Sequence, residues 1–330
     1  MIGMFICPSE VSSAVHSSLC LCVDTLMPSL FPFLCISLFL SLCGAGEAFS
    51  ILLTPVTKYL LHLPAALGQT ILCSLTGGYP TGSRLLASLV EEGNLRREDA
   101  SVLLGFCVSP GPAFVILAVG EKMFGSMRIG VILLTSQLLS SLLLGAFLCR
   151  IHPVRISSPR RMPLSFTQAL VQAVSQASSG MLSICAYVVL CAVVSSLLFP
   201  KDGGSVFSCI FEVTNGCLAA AEIPGNAGIL LASFLLAFGG ISVCLQVTAA
   251  AAGAEIPLRG FFAARICCGM LSGGITFLML RIFRQALPAI SQAAVPVAAS
   301  APNRLLGAVC LCGMIFLTLS NLSGRDHLDF

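Results

Sequence analysis

Long stretches without a charged residue dominate the chain and predict segments embedded in a membrane. A charged side chain in hydrocarbon costs about 2.5–3.5 kcal/mol on insertion scales, so charge-free runs mark chain that can enter the bilayer. The runs cover residues 25–46, 59–83, 100–120, 129–149, 162–200, 223–254, 266–280 and 305–324. A spanning helix needs about 20 apolar residues, so residues 129–149 and 305–319 are predicted to be simple spans.

Two of these runs are too long for one span. Residues 162–200 are predicted to hold an amphipathic lead-in at 168–179, followed by a span at 181–198. Residues 223–254 are interrupted in the middle by a Gly–Gly pair. The pattern therefore predicts at least one broken helix beside the continuous spans.

Short polar loops connect the runs. Residues 150–161 contain four arginines and no acid, and the positive-inside rule places them in the cytoplasm. The mixed loop at 91–99 must also lie in water or in a water-filled cavity. An Ala/Pro-rich linker at 285–304 precedes the last run. Residues 1–7 are too short and too uncharged for a secretory signal.

The composition excludes most other classes of protein. The chain has 330 residues, of which 57% are hydrophobic and 9% are charged, whereas a soluble domain is about 25% charged. So few charges cannot cover the surface of a soluble enzyme, and a net charge of +3 is too weak to bind nucleic acid. An integral membrane protein with several spans remains, with the lipid bilayer as one partner.

The cysteines and histidines do not indicate a metal site or a catalytic site. Most of the 17 cysteines lie in apolar runs, where a thiol behaves as a small apolar side chain. The four histidines are scattered, and the zinc-protease, nucleophile-elbow and P-loop motifs are absent from the sequence. We therefore expect no enzymatic activity, no metal and no cofactor.

A duplication is the most informative pattern. A Gly–Gly pair at 77–78 interrupts one apolar run, and another pair at 239–240 interrupts a second run 162 residues later. The same offset aligns Arg97 with Arg259. In both places an apolar run meets the glycines, and a stretch of small residues and a polar loop follow. The predicted fold is an all-α polytopic membrane protein of two structural repeats, in inverted orientation, with broken or re-entrant helices.

The predicted organisation has five parts. These are a gate-like first membrane repeat at 1–150 with a broken helix at 77–82, a basic cytoplasmic loop at 151–165, a second repeat at 166–284 with a broken helix at 239–242, a linker at 285–303, and a C-terminal transmembrane helix with its tail at 304–330.

Paired breaks of this kind are typical of transporters. Backbone groups freed within the bilayer must line a protein cavity, because lipid cannot hydrogen-bond to them. Half-helices beginning near Thr81 and Ser242 would point N–H groups at that cavity, and Arg84 would add a charge suited to carboxylates. The alternative is that the glycines only allow close helix packing, as at Gly269-x-x-x-Gly273.

Two further breaks add polar groups. Residues 109–112 read Ser-Pro-Gly-Pro, which cannot continue a helix. Glu212 and Asn215 stand in an otherwise apolar stretch. Glu212 is either a membrane-surface residue near Lys201 or a buried carboxylate that couples ions to transport. Glu222 is expected at the membrane interface.

These breaks supply the candidate site. Tyr79 could stack on an aromatic ring, and the hydroxyl and amide side chains could donate or accept hydrogen bonds. The candidate substrate-binding residues are Gly78, Tyr79, Pro80, Thr81, Gly82, Ser83, Arg84, Ser109, Gly111, Asn215, Gly240, Ser242 and Gln246, and the candidate ion-coupling residue is Glu212.

Three segments resemble a known family. PSLFPF at 28–33, the segment from GGYPTGSRLL onward at 77–125, and FEVTNG at 211–216 are similar to the YlbJ-type sporulation integral membrane proteins, over about residues 11–281. That family carries the nucleoside recognition, or gate, domain, which is similar to the core of concentrative nucleoside transporters. The resemblance implies a role in forming the spore cortex and in moving dipicolinate from the mother cell across the outer forespore membrane.

The resemblance carries over residue by residue only in part. Gly78, Tyr79, Pro80 and Gly82 match the family's Gly-Tyr-Pro-x-Gly, and Arg84 stands where the family has a basic residue. The second break departs from the family's Asn-Ser pattern, and the chain has no tryptophan. Three functions stay open: a secondary transporter of dipicolinate or a similar anion, a transporter of nucleoside-type solutes, and a membrane scaffold without flux. A homo-oligomer is also left open.

Overall fold

The computed structural model describes residues 8–43, 53–156, 164–198 and 206–282. Most residues in these ranges are helical, and an isolated bridge between Leu95 and Ile156 is the nearest approach to a strand pair. The predicted all-α class is confirmed. The segments 1–7, 285–303 and 304–330, with the proposed last span, lie outside the described residues.

The described residues form twelve α-helices with short π-helical and 3₁₀ segments between some of them. The helices are α1 Pro8–Leu21, α2 Met27–Leu42, α3 Gly68–Thr76, α4 Thr81–Glu91, α5 Arg97–Leu104, α6 Met127–Ile151, α7 Phe166–Leu198, α8 Val206–Phe211, α9 Val213–Glu222, α10 Asn226–Phe238, α11 Gly240–Gly253 and α12 Phe261–Ile282. The π-helical segments are Cys22–Leu26, Val56–Leu60 and Phe114–Met123, and a 3₁₀ turn covers Ala65–Leu67.

Four helical stretches are long and apolar enough to cross a bilayer: α6, α7, α12 and the pair α10–α11, which runs over 28 residues. A bent pair, Pro8–Leu26 with Leu30–Leu40 at 54°, makes a fifth when it is taken as one span. The outward faces of α6 and α12 carry large exposed apolar side chains such as Phe147 and Met270. Such faces suit lipid contact, so the protein is an integral polytopic membrane protein.

Helix α7 contains both the predicted lead-in at 168–179 and the predicted span at 181–198. It is one uninterrupted helix of 33 residues. At 1.5 Å per residue it is about 50 Å long, more than the hydrocarbon thickness of about 30 Å. It stays whole because it contains no proline and only the single glycine Gly180, and because α1 and α2 pack against it.

Three polar loops meet at one end of the molecule. Leu95 pairs with Ile156, and the backbone N–H of Arg155 donates to Asp99 at 3.3 Å. Arg97 forms a 2.7 Å ion pair with Glu255, in the turn after α11. One of these loops is the start of the basic segment, whose cytoplasmic position stays a prediction.

Helices α10 and α12 pack closely through small and polar residues. The Ser233 hydroxyl lies 2.8 Å from that of Ser272 and 2.7 Å from that of Thr276. A Cβ at Gly269 would lie 2.8 Å from the Phe234 ring, so Gly269 allows the close approach expected of a small-residue interface. These contacts hold α12 beside the helix that ends at the second Gly–Gly pair.

The two Gly–Gly interruptions are not alike in shape. Residues 77–80 separate α3 from α4, whereas α10 and α11 meet directly at Gly239 and together form one span. Helices α4 and α11, which follow the two interruptions, contact each other. The internal repeat stays a prediction.

Candidate functional site

The first break satisfies its own backbone. Gly78 has a φ of +77°, the left-handed region that favours glycine, and the Tyr79–Pro80 peptide is cis. The Thr81 hydroxyl donates to the Gly77 carbonyl at 3.1 Å, and the Ser83 hydroxyl donates to the Pro80 carbonyl at 2.7 Å. In this conformation the two hydroxyls therefore support the break.

The first break lies directly against the Ser-Pro-Gly-Pro break. A Cβ placed on Gly78 would be 3.1 Å from the Gly111 nitrogen, and one on Gly82 would be 1.8 Å from the Cys107 carbonyl oxygen. Backbone meets backbone here without intervening side chains. Ser109 lies in the same contact, is fully buried, and its hydroxyl is 3.4 Å from the Pro110 carbonyl oxygen.

The second Gly–Gly pair lies against another interruption, between α8 and α9. Gly239 and Gly240 have φ values of +89° and +72°. A Cβ on Gly240 would be 3.1 Å from the Ile210 carbonyl oxygen and 3.3 Å from the Val213 nitrogen. Each glycine break thus packs against a second break that is distant from it in the sequence.

Glu212 caps the N-terminus of α9. Its side chain accepts the Asn215 backbone N–H at 2.7 Å and the Thr214 hydroxyl at 2.9 Å, and the residue is 2% exposed. Glu212 is therefore buried in the protein, as the second interpretation of this residue requires. Its role in coupling ions stays a prediction. Glu222 is exposed at the end of α9, as an interfacial residue would be.

A small cavity opens where these breaks converge. Its lining consists of Leu26, Leu30, Tyr79, Gly111, Phe114, Ile184, Val188, Glu212, Val213, Thr214, Ser242, Val243 and Gln246. The space accommodates roughly two water molecules, so a ring-sized solute requires the walls to separate.

The structure brings together five of the predicted site residues in this lining: Tyr79, Gly111, Glu212, Ser242 and Gln246. The other predicted residues stand outside the lining, in the breaks, their backbone contacts or the adjoining helix turns: Gly78, Pro80, Thr81, Gly82, Ser83, Arg84, Ser109, Asn215 and Gly240. Their part in binding a substrate stays a prediction.

Arg84 lies apart from the cavity, against α7. A Cβ on Gly180 would be 3.1 Å from an Arg84 guanidinium nitrogen, Nη1. The sequence expectation that Arg84 lies between the two half-helix ends does not describe this conformation. The reason is that Arg84 lies almost one helical turn beyond Thr81, and its guanidinium extends to Gly180 of α7.

Sequence reasoning missed two polar residues, Thr214 and Arg265. Thr214 lines the cavity beside Glu212, and its neighbours in the FEVTNG motif were the available signal. Arg265 is completely buried, in the second turn of α12. Arg265 stands directly before the charge-free run 266–280, so no apolar run marked it as embedded, and a helix that starts at Phe261 carries it inside.

Arg265 and Tyr79 bind the end of α10. The guanidinium of Arg265 donates to the carbonyl of Ala237 through Nη2 and to that of Phe238 through Nε at 3.5 Å. The Tyr79 hydroxyl donates to the carbonyl of Leu236. A helix end leaves its last carbonyls without intrahelical partners, so these two side chains satisfy the groups that the Gly239 break frees.

One curated relative covers most of the chain. It is the "Sporulation integral membrane protein YlbJ" of Bacillus subtilis (strain 168), 24% identical over 323 aligned residues, which cover 83% of this chain and 78% of the relative. The chain is a homologue of the YlbJ-type sporulation integral membrane proteins. The resemblance indicated by the three sequence segments is thereby confirmed. Neither a family model nor a solved structure matches the chain.

The cavity of this YlbJ homologue has a distinct electrostatic character. Among the described residues that line it, Glu212 is the single ionisable carboxylate and none is a cation. The Gln246 amide oxygen, Oε1, is buried without a hydrogen-bond partner in the described part of the chain. The lining is therefore rich in acceptors and apolar surface, whereas the sequence predicted a positively charged site.

Proposed function

We propose that this protein is a secondary membrane transporter that moves a small polar solute through the cavity at the four chain breaks. The observation that carries the proposal is the convergence of these breaks on polar groups inside the spanning part of the molecule. Freed backbone at membrane depth is tolerated where it is buried in protein or lines a path, and transporters use such broken helices at their binding sites. The proposed activity involves no chemical conversion and no cofactor.

Dipicolinate is the first candidate solute, with transport across the outer forespore membrane of a sporulating cell. This candidate rests on the family resemblance. The rings of Tyr79 and Phe114 in the lining suit a flat aromatic solute. An ionised Glu212 would repel a dianion, so movement of dipicolinate through this cavity requires Glu212 to be neutral. That requirement gives Glu212 its proposed role, which is to take up a proton together with the solute.

A nucleoside-type solute is the second candidate, and the acceptor groups favour it. Glu212 and the unpartnered Gln246 Oε1 can accept hydrogen bonds from hydroxyl or amino groups, and Ser242 can donate or accept. A neutral solute with several donors would satisfy these groups without a cation. A scaffold that supports cortex or envelope assembly is the remaining alternative, and it would need no such cavity.

Flux in proteoliposomes tests these candidates. Labelled dipicolinate and labelled uridine are supplied side by side, with and without a pH gradient. For dipicolinate, an inward proton gradient should accelerate uptake by the wild type and have no effect on the Glu212→Gln variant. Glu222→Gln removes an exposed carboxylate near the other end of α9 and should leave uptake unchanged.

The outcomes separate the alternatives. Uridine flux that ignores dipicolinate supports the nucleoside-type candidate. Absence of flux for both probes, from vesicles whose protein is inserted and folded, contradicts the transporter proposal and leaves the scaffold.

A further inference from the structure

Arg265 is a buried cation with an unused donor. It is 0% exposed, its Nε and Nη2 bind carbonyls at the end of α10, and Nη1 has no hydrogen-bond partner among the described residues. No ion pair with Arg265 is formed within the same part of the chain. A guanidinium stays charged in proteins and has five N–H donors. Carbonyl contacts alone therefore leave part of this group uncompensated.

Tyr79 connects this cation to the cavity. Its side chain is part of the cavity lining, while its hydroxyl reaches the Leu236 carbonyl, the neighbour of the Ala237 carbonyl that Arg265 binds. One residue thus lines the solute space and also touches the cluster in which the guanidinium is held.

We propose that Arg265 is the anion-binding group of the solute path, and that Tyr79 covers it in the conformation described here. Release of the Tyr79 hydroxyl from Leu236 would let the ring turn aside. A carboxylate of the solute would then accept a hydrogen bond from Nη1. This inference rests on the proposed transport function and deepens it, because it assigns carboxylate-bearing solutes to a cavity whose present lining has no cation.

Tyr79 and Arg265 bind the end of α10 directly before the glycine break at Gly239. Gly239, directly after the three carbonyls, adopts a φ of +89°, which is accessible to glycine without strain. Rearrangement at this point would loosen Leu236 and Ala237 together, since both belong to the end of α10. The competing interpretation is that Arg265 only completes the hydrogen bonding of the helix end, with no contact to solute.

Equilibrium binding to the purified full chain in nanodiscs distinguishes the two. The probes are labelled dipicolinate and its neutral isostere pyridine-2,6-dicarboxamide, which has the same ring and size. Arg265→Gln should weaken dipicolinate binding by about 10-fold or more, the usual effect of losing a hydrogen bond to a charged group, and change diamide binding much less. Arg265→Lys keeps the charge and should retain most of the preference for the dicarboxylate. Arg281→Gln, the same substitution at an exposed position on α12, is the matched control.

Tyr79→Phe gives an independent test if Arg265→Gln does not fold. The ring is kept and the hydrogen bond to Leu236 is lost, so exposure of Arg265 becomes easier and the population shifts towards the open form. The ratio of dipicolinate to diamide affinity should rise. Equal changes for the two probes in either variant would overturn the inference.

Failure of the inference is distinguishable from failure of the transport function. Binding and flux of uridine or the diamide, with dipicolinate excluded, would refute an anion site at Arg265 and leave a transporter. Absence of flux for every probe would refute the transport function itself and the inference with it.

Discussion

Gly82 provides the most direct test of the contact between two chain breaks. It is the second residue of α4, and an added Cβ would lie 1.8 Å from the carbonyl oxygen of Cys107. Real Cβ contacts shorter than 3.0 Å are essentially never seen, so Gly82→Ala requires the two segments to move apart by at least 1.2 Å. The obstructing atom belongs to the backbone, so rotation of a side chain cannot relieve the overlap.

The expected cost follows from two opposing effects. Overpacking costs about 1–3 kcal/mol and more when backbone must move, while replacing glycine by alanine inside a helix gains up to about 1 kcal/mol. We expect a net loss of about 2–3 kcal/mol. At about 2–4 °C per kcal/mol, the melting temperature should fall by about 5–10 °C.

Thermal unfolding in detergent, followed with a thiol-reactive dye, measures this change, because many of the cysteines in the described residues are buried until the fold opens. Gly274→Ala is the matched control. Gly274 lies within α12, and a Cβ there would meet nothing within 4 Å, so its melting temperature should be unchanged or slightly raised. If Gly82→Ala and Gly274→Ala melt alike, residues 77–82 and 107–111 are not in backbone contact, and the description of the site is refuted.

The remaining predictions concern the thermal stability of other variants, measured as melting temperatures with the same dye assay. Ser233→Ala removes the hydrogen bonds from α10 to Ser272 and Thr276 of α12 and should cost about 0.6–1.7 kcal/mol. Ser196→Ala, whose hydroxyl bonds to Val193 of its own helix, should cost less, and an equal loss would contradict the interhelical role. Arg97→Ala breaks an ion pair whose side chains are 55% and 70% exposed, so it should cost less than about 1 kcal/mol. Asp99→Ala should lower the melting temperature further than Arg97→Ala, because it removes the acceptor that joins two polar loops, and the reverse order would argue against that junction.

The positions of the chain breaks could be read from the sequence because glycine and proline act locally. A proline cannot donate to a helix, and glycine adopts the left-handed backbone at which a helix is interrupted, although Gly273 and Gly274 stay inside α12. The helix start at Thr81 and the interruption at Gly239 follow from these rules. The predicted lead-in and span within residues 162–200 run as one helix, because no proline lies between Phe166 and Leu198.

The contacts between breaks could not be read in this way. The sequence contains no information that Gly78 faces Gly111, or that Gly240 faces Val213, because each pair joins segments about 30 residues apart through the packing of other helices. The contact of Arg84 with Gly180 depends on tertiary packing in the same way. So does the contact of Arg265 with the end of α10.

The sequence by itself determined that this protein lies in a membrane, how its charges divide spans from loops, and where its helices break. These properties depend on the cost of a charge in hydrocarbon and on the backbone preferences of single residues. Tertiary structure alone decided that four breaks meet around Glu212. It also decided that the buried cation beside the site is Arg265, because these outcomes depend on which helix faces which.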